Sequence, residues 1–135
     1  MNGFKKLRYI ATTILCQKRV PATQFLTIRK VDNKMVGMVS VRHKLNGDLK
    51  LHGGHIGDSV RKSERGKGYA TEQIGLALKF CKELGIDKVL ITCNRENIAS
   101  SKSIIKNKGI KENEICVDGI TYERFWVLTG LEKTI

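Results

Sequence analysis

The chain has 135 residues, 41% of them hydrophobic, and a formal net charge of +12. This length supports one globular domain with a single hydrophobic core. The positive charge favours anionic small molecules, nucleic acid, an acidic membrane surface or acidic substrates as partners, without choosing among them. No apolar segment reaches the length of a transmembrane span, which argues against an integral membrane protein.

The first twenty residues carry five cations and no acidic side chain. Their apolar residues fall at helical spacing: Phe4, Leu7, Ala11, Ile14 and Leu15. This spacing predicts an amphipathic helix over residues 1–20, either docked on the domain or partly frayed.

From Pro21 the pattern changes to that of strands. We predict strands over Gln24–Val31, Met35–Arg42 and Gly53–Val60, because their apolar residues alternate or cluster in short runs. Lys44–Lys50 is polar and predicts a loop.

The second half of the chain alternates helix and strand patterns. Two helices are predicted over Gly68–Leu84 and Asn97–Lys108, each followed by a glycine. Lys88–Cys93 is largely apolar at odd and even positions alike, which predicts a central strand covered on both faces. The chain then forms a predicted hairpin, with strands Ile110–Val117 and Ile120–Leu128 joined by a two-residue Asp-Gly turn.

The four cysteines stand far apart without a CxxC pair: Cys16, Cys81, Cys93 and Cys116. Cys81 and Cys93 lie in apolar segments, which predicts buried free thiols in a reducing compartment and hence a cytoplasmic protein. The three histidines show no paired ligand spacing, so no metal site is predicted.

A glycine-rich basic segment joins the third predicted strand to the first long helix. Gly66 and Gly68 let the backbone approach a ligand, and the free N–H groups of the helix favour an anion such as phosphate. An ordinary solvated loop is the alternative. The segment is not a Walker loop, because Arg61 stands where the first glycine is needed, and Thr71 breaks the dinucleotide fingerprint.

The segment does fit another pattern. Arg65-Gly-Lys-Gly-Tyr-Ala70 resembles the Arg/Gln-x-x-Gly-x-Gly/Ala signature of the GNAT superfamily of acyl-CoA N-acyltransferases. The order of predicted elements is similar to the GNAT core, and Gly53–Gly57, Gly85–Cys93 and Asn97–Ser101 resemble one bacterial subgroup. The resemblance covers roughly Pro21–Leu128. It implies a single α/β domain over residues 1–135, with a mixed, mostly antiparallel central sheet flanked by helices.

The resemblance also implies a cosubstrate, acetyl-CoA, bound where two central strands splay apart. The main chain of Val60 would face the pantetheine arm, and Asn97 would be a further contact as well as a helix N-cap. The pyrophosphate would lie against the main-chain N–H groups of the segment that joins strand and helix: Arg65, Gly66, Lys67, Gly68, Tyr69, Ala70 and Thr71.

The reaction implied is direct transfer of an acetyl group to an amine of a small molecule or peptide in a ternary complex. An alkyl amine has a pKa near ~10.4 and must lose a proton before it attacks. His55 and Asp58, on opposite faces of the third strand, are the candidate bases, and Tyr122 is the candidate acid for the leaving thiolate. His55 could instead be structural, and Tyr122 could serve in packing.

Two features depart from the family pattern. Ile104 and Ile105 stand where many members carry a tyrosine, and only about twenty residues precede Pro21, where the family usually has a strand and two helices. A non-catalytic CoA-binding domain is therefore one alternative. A basic nucleic-acid-binding module is another, although only eight aromatic residues occur and most fall at core spacing. We also expect a homodimer, in which a second copy covers the shortened side, and no membrane partner.

Overall fold

The computed structural model describes residues 6–15 and 20–130. In this part of the chain the elements, numbered in order, are β1 (Leu7–Leu15), β2 (Pro21–Arg29), β3 (Lys34–Arg42), α1 (Gly47–Leu51), β4 (Ile56–Val60), α2 (Tyr69–Glu83), β5 (Lys88–Asn94), α3 (Ile98–Lys106), β6 (Ile110–Val117) and β7 (Ile120–Leu128). A single turn of 3-10 helix, Lys62–Glu64, lies between β4 and α2.

The seven strands form one sheet in the order β1-β2-β3-β4-β5-β7-β6. Neighbouring strands are antiparallel except β4 and β5, which are parallel. The predicted mixed, mostly antiparallel sheet with flanking helices is thereby confirmed. Among the described residues, no helix is long and apolar enough to cross a membrane.

The prediction of a helix at the N-terminus is wrong for residues 7–15, which form β1. This strand pairs with β2 along its whole length, from Leu7 opposite Arg29 to Leu15 opposite Pro21. The segment is rich in β-branched residues, and pairing with a neighbouring strand outweighs a helical spacing of apolar residues. Leu7 is buried, whereas Ile10 is 47% exposed. Phe4, which began the predicted stripe, lies outside the described residues.

The predicted third strand and the loop before it differ from the structure in their boundaries. Residues 47–51 form α1, capped by the Asn46 side chain, with Leu49 buried beneath it. β4 begins at Ile56 instead of residue 53, because Gly53 and Gly54 have φ angles of 102° and 63°. A side chain at Gly54 would meet the carbonyl oxygen of Leu90 at 2.4 Å. The glycines therefore let the chain approach β5 closely before β4 starts.

The two central strands diverge. In the described residues, β4 and β5 share a single residue pair, Ile56 and Ile91. Helices α2 and α3 pack with one face of the sheet around a core that includes Ile74, Ile104 and Phe125. Since α2 follows β4 and α3 follows β5, both helices begin beside the opening between these strands.

The other predicted elements agree with the structure to within a few residues. The hairpin of β6 and β7 has the predicted boundaries, with Asp118 and Gly119 both at positive φ in the turn. Cys81 and Cys93 are buried free thiols, as predicted. Cys16 lies outside the described residues.

Candidate active site

A cavity of about 540 Å³ lies at the opening between β4 and β5. Every predicted cosubstrate contact except Lys67 lines it: Val60, Arg65, Gly66, Gly68, Tyr69, Ala70, Thr71 and Asn97. The volume falls in the usual range for small-molecule sites. The sequence-based grouping of these residues therefore corresponds to one concave surface.

Two glycines of the loop have a backbone conformation that favours glycine. Gly66 and Gly68 have φ angles of 79° and 86°, a conformation that residues with a side chain seldom adopt. Gly68 is the N-cap of α2 and offers no side-chain cap, so the first N–H groups of the helix have no partner within it. These donors and the helix dipole favour a bound anion.

Helix α3 adds a second N-terminus and two cations to the same cavity. Asn97 caps α3 by accepting a hydrogen bond from the Ser100 N–H (3.1 Å). Lys102 and Lys106, one turn apart, both line the cavity. Our sequence interpretation did not include them, although their spacing on the helix after the central strand was a usable signal.

Lys67 instead belongs to an ionic cluster around Glu64. The Glu64 carboxylate is buried and bonds to Lys67 (2.9 Å), Lys34 (3.0 Å) and Arg29 (2.5 Å). Hydrogen bonds from these cations, with that from Lys67 first, hold the pKa of Glu64 well below its usual range. Since Arg29 and Lys34 lie at the turn between β2 and β3, Glu64 ties the loop before α2 to that turn.

We expect Glu64→Gln to lower the melting temperature at neutral pH, because it removes the anion that three cations share. The native pKa is depressed, so the stabilisation is present above the ordinary value of 4.5 and is lost as pH falls toward the native pKa. The gap in melting temperature between wild type and variant should therefore narrow below about pH 4.5. Thermal unfolding between pH 3 and pH 8 measures it.

Glu83→Gln is the matched control for this experiment. Glu83 is exposed at the end of α2 and makes no ion pair with the described residues. Its replacement should leave the melting temperature nearly unchanged across the range. A difference in melting temperature between wild type and Glu64→Gln that stayed constant down to pH 3 would contradict the ionised cluster.

A second, smaller cavity of about 260 Å³ adjoins the first. Asp58, Asn97 and Ser100 line both cavities, so Asp58 lies where they meet. Burial raises the pKa of the Asp58 carboxyl to about 6, and a hydrogen bond from Gln73 offsets part of that rise. A carboxylate with such a pKa is mostly ionised at neutral pH and is a stronger proton acceptor than an ordinary aspartate.

Gln73 of α2 supports this part of β4. Its side chain is fully buried, and its Nε2 donates to the carbonyl of Ser59 (3.3 Å). It fits because residue 37 of β3 is a glycine: a Cβ there would lie 2.4 Å from Oε1 of Gln73 and 2.5 Å from the Ser59 carbonyl oxygen. The absent side chain of Gly37 thus makes room for the residue that contacts Asp58.

Tyr122 of β7 also lines the smaller cavity. Its ring lies against that of His52, with ring centroids 5.0 Å apart. Cys93 lines this cavity too, but burial, with Glu123 beside it, raises its pKa to about 11. The thiol is therefore protonated at neutral pH and poorly suited to act as a nucleophile.

His55 lines neither cavity. It is buried between β4 and β5, where its Nδ1 accepts a hydrogen bond from the Leu90 N–H (2.9 Å). Burial, together with the nearby Arg42 guanidinium, lowers the pKa of His55 to about 4. The structure thus separates the two candidate bases, with Asp58 facing the cavities and His55 joined to the main chain.

The sequence comparison decides the family. The family model of the acetyltransferase (GNAT) domain matches residues 5–109. The chain belongs to the GNAT family. A comparison with curated protein sequences found no significant match.

Solved GNAT structures have a similar fold. An acetyltransferase (GNAT family) from Bacillus anthracis is 25% identical, with a TM-score of 0.65 over 78% of this chain and 66% of that one. A dodecameric spermidine N-acetyltransferase from Vibrio cholerae is 16% identical, with a TM-score of 0.65 over 84% of this chain and 70% of that one. A ribosomal-protein-S5-alanine acetyltransferase from Vibrio fischeri is 20% identical, with a TM-score of 0.66 over 80% and 62%. The GNAT chain described here therefore spans about two thirds of the length of these proteins.

The larger cavity has groups that suit a phosphorylated ligand. It combines two helix N-termini with Arg65, Lys102 and Lys106, a donor set suited to the phosphates of CoA. The carbonyl of Val60 accepts a hydrogen bond from Nε of Arg65 (3.1 Å), so this oxygen is already bonded within the protein. No cluster of three metal-ligand side chains occurs in the described residues.

Proposed function

We propose that this protein is an acetyl-CoA-dependent N-acetyltransferase that acts on an amine by direct transfer. The observation that carries the proposal is the position of Asp58, which lines both the cavity suited to CoA and the smaller cavity beside it. A base at this junction can reach an amine in one cavity and face a thioester in the other.

Acetyl-CoA would supply the acetyl group as a thioester. The new bond joins the amine nitrogen to the acetyl carbon, and the bond that breaks joins this carbon to sulfur. Asp58 accepts the proton released by the amine, directly or through a water molecule. Tyr122, which lines only the smaller cavity, would return a proton to the leaving sulfur where the two cavities meet. The alternative of a non-catalytic CoA-binding domain is less well supported, since it leaves the raised pKa of Asp58 without a role.

Thermal unfolding tests the cosubstrate. At a CoA concentration of 100 times its dissociation constant, binding stabilises the fold by about 2.7 kcal/mol, which raises the melting temperature by roughly 5–10 °C. Pantetheine, which lacks the phosphates, should stabilise much less at the same concentration. Release of free thiol from acetyl-CoA with a panel of amines then separates the transferase from the binding domain. A melting temperature unaffected by CoA would contradict both the transferase and the CoA-binding domain.

Self-association stays a prediction, on a changed basis. A homodimer was expected because the N-terminal side is shortened and its apolar residues were predicted to form a helical stripe. Most of that segment is the edge strand β1, and an edge strand presents main-chain groups that a second copy can pair with. A cytoplasmic location also stays a prediction, supported by the buried free thiols of Cys81 and Cys93.

A further inference from the structure

The smaller cavity contains a cation that the proposed reaction does not use. Arg42, at the end of β3, lines this cavity and is only partly exposed. Its Nη1 donates to the main-chain carbonyls of Gly53 (2.7 Å) and Gly54 (3.2 Å). In residues 6–15 and 20–130, no carboxylate lies within ion-pair distance of it. A half-buried guanidinium without an anionic partner is unusual, because desolvation of the charge is uncompensated.

The guanidinium is held in one position. The two carbonyls fix Nη1, and the plane lies against Gly57 of β4, where a Cβ would be 3.2 Å from Nη2. A guanidinium has five N–H donors, and two are used, so Nε and Nη2 keep three. The Nε and Nη2 edge can bind a carboxylate through two parallel hydrogen bonds.

We propose that Arg42 binds a carboxylate of the acceptor, so that the substrate class is amines that carry an acid group. This inference rests on the proposed transferase function, which places the amine near Asp58. Asp58 is the only carboxylate among the described residues that line this cavity, and it receives a hydrogen bond from Gln73. The lining of this cavity therefore offers both a base for an amine and a cation for an acid. A polyamine such as spermidine would bring a positive charge toward Arg42.

A series of ω-amino acids tests the proposal. Glycine, β-alanine and 4-aminobutanoate are compared with their amides, and with putrescine and spermidine. We expect kcat/KM for at least one acid to exceed that of its amide by about tenfold or more. The length of the preferred acid gives the distance between base and cation. Equal values for acids and amides would overturn the proposal.

Substitution of Arg42 locates the effect. Arg42→Gln should reduce kcat/KM for the acid to the level of its amide, mainly through KM, while the KM for acetyl-CoA stays unchanged. Because Gln loses a bond to Gly53 or Gly54, Arg42→Lys is a second variant that keeps the charge and should retain part of the preference. Arg124→Gln is the matched control, since Arg124 also donates to a carbonyl, that of Lys50 (2.7 Å), and lines neither cavity. If Arg42→Gln kept the wild-type preference in kcat/KM for the acid over its amide, the proposal would be overturned.

A binding measurement separates this proposal from the transferase itself. The Nε–H resonance of Arg42 is followed by NMR while an amino acid or its amide is added, with and without CoA. A shift caused by the acid and not by its amide supports the carboxylate site even if no turnover occurs. Absence of that difference contradicts the site even if CoA binds and acetyl transfer proceeds.

Discussion

Asp58→Asn should lower kcat/KM by roughly 10²- to 10⁴-fold, the usual contribution of a general base. The amide has nearly the shape of the carboxylate and cannot accept the proton. Because burial raises the pKa of Asp58 to about 6, the ratio of wild-type to variant kcat/KM should rise with pH through about 6 and stay level above it. Taking the ratio removes the titration of the amine, which affects both proteins equally.

The fold of this variant can be checked through the same pKa. An aspartate whose native pKa is raised favours the folded state while protonated, and this stabilisation is lost as pH rises from about 4 to about 6. Asparagine stays neutral throughout. Above pH 6 the melting temperature of Asp58→Asn should therefore equal or exceed that of wild type.

Two further variants decide between the candidate bases. His55→Asn keeps an acceptor near the place of Nδ1 and should preserve both the bond from Leu90 and the acidic limb of the pH profile. Asp87→Asn, at an exposed position before β5, should change neither rate nor profile. If the acidic limb of the kcat/KM profile were lost in His55→Asn and retained in Asp58→Asn, His55 would be the base.

Gly68→Val should raise the dissociation constant of CoA at least about tenfold, the second largest effect that we expect. At a φ of 86°, a β-branched residue costs about 1–3 kcal/mol or turns the peptide away from this conformation. Either outcome disturbs the N–H groups at the start of α2 on which the phosphates would lie. Calorimetric titration with CoA measures the change.

Gly85→Val is a closely matched control. Gly85 follows α2 at its other end, also has a φ of 86°, and a Cβ at either glycine would meet no atom within 4 Å. Both variants should lose stability by similar amounts, while only Gly68→Val loses affinity. Equal affinity in the two variants would show that this loop does not bind the phosphates.

The sequence predicted the parts of the site that depend on local structure. The glycines of the loop and the Asp118-Gly119 turn require particular φ angles, which few residues adopt, so their spacing indicates the fold directly. The central strand was recognisable because a strand covered on both faces is apolar at alternate positions of either kind, with no polar face. These features explain why almost the whole predicted CoA-binding set lines one cavity.

The rest depends on contacts between distant segments. Glu64 pairs with Arg29, which lies 35 positions earlier in the chain. Arg42 lines the second cavity only because β3 pairs with β4. Strand β1 was mistaken for a helix because its apolar spacing suits both structures and its pairing with β2 is not visible in either pattern. The strand pattern left His55 and Asp58 both as candidate bases, and only the close approach of residue 55 to Leu90 of β5 shows that His55 is buried.

The glycine on β3 that makes room for Gln73 has an evolutionary consequence. Any larger residue at position 37 would collide with the glutamine and also with the main-chain oxygen of Ser59, at 2.5 Å. A compensating change at position 73 alone could not restore the fit, because the oxygen belongs to the backbone. Glycine is therefore the residue that fits position 37 while Gln73 stays in place, so a strand that does not line the larger cavity constrains the neighbourhood of Asp58.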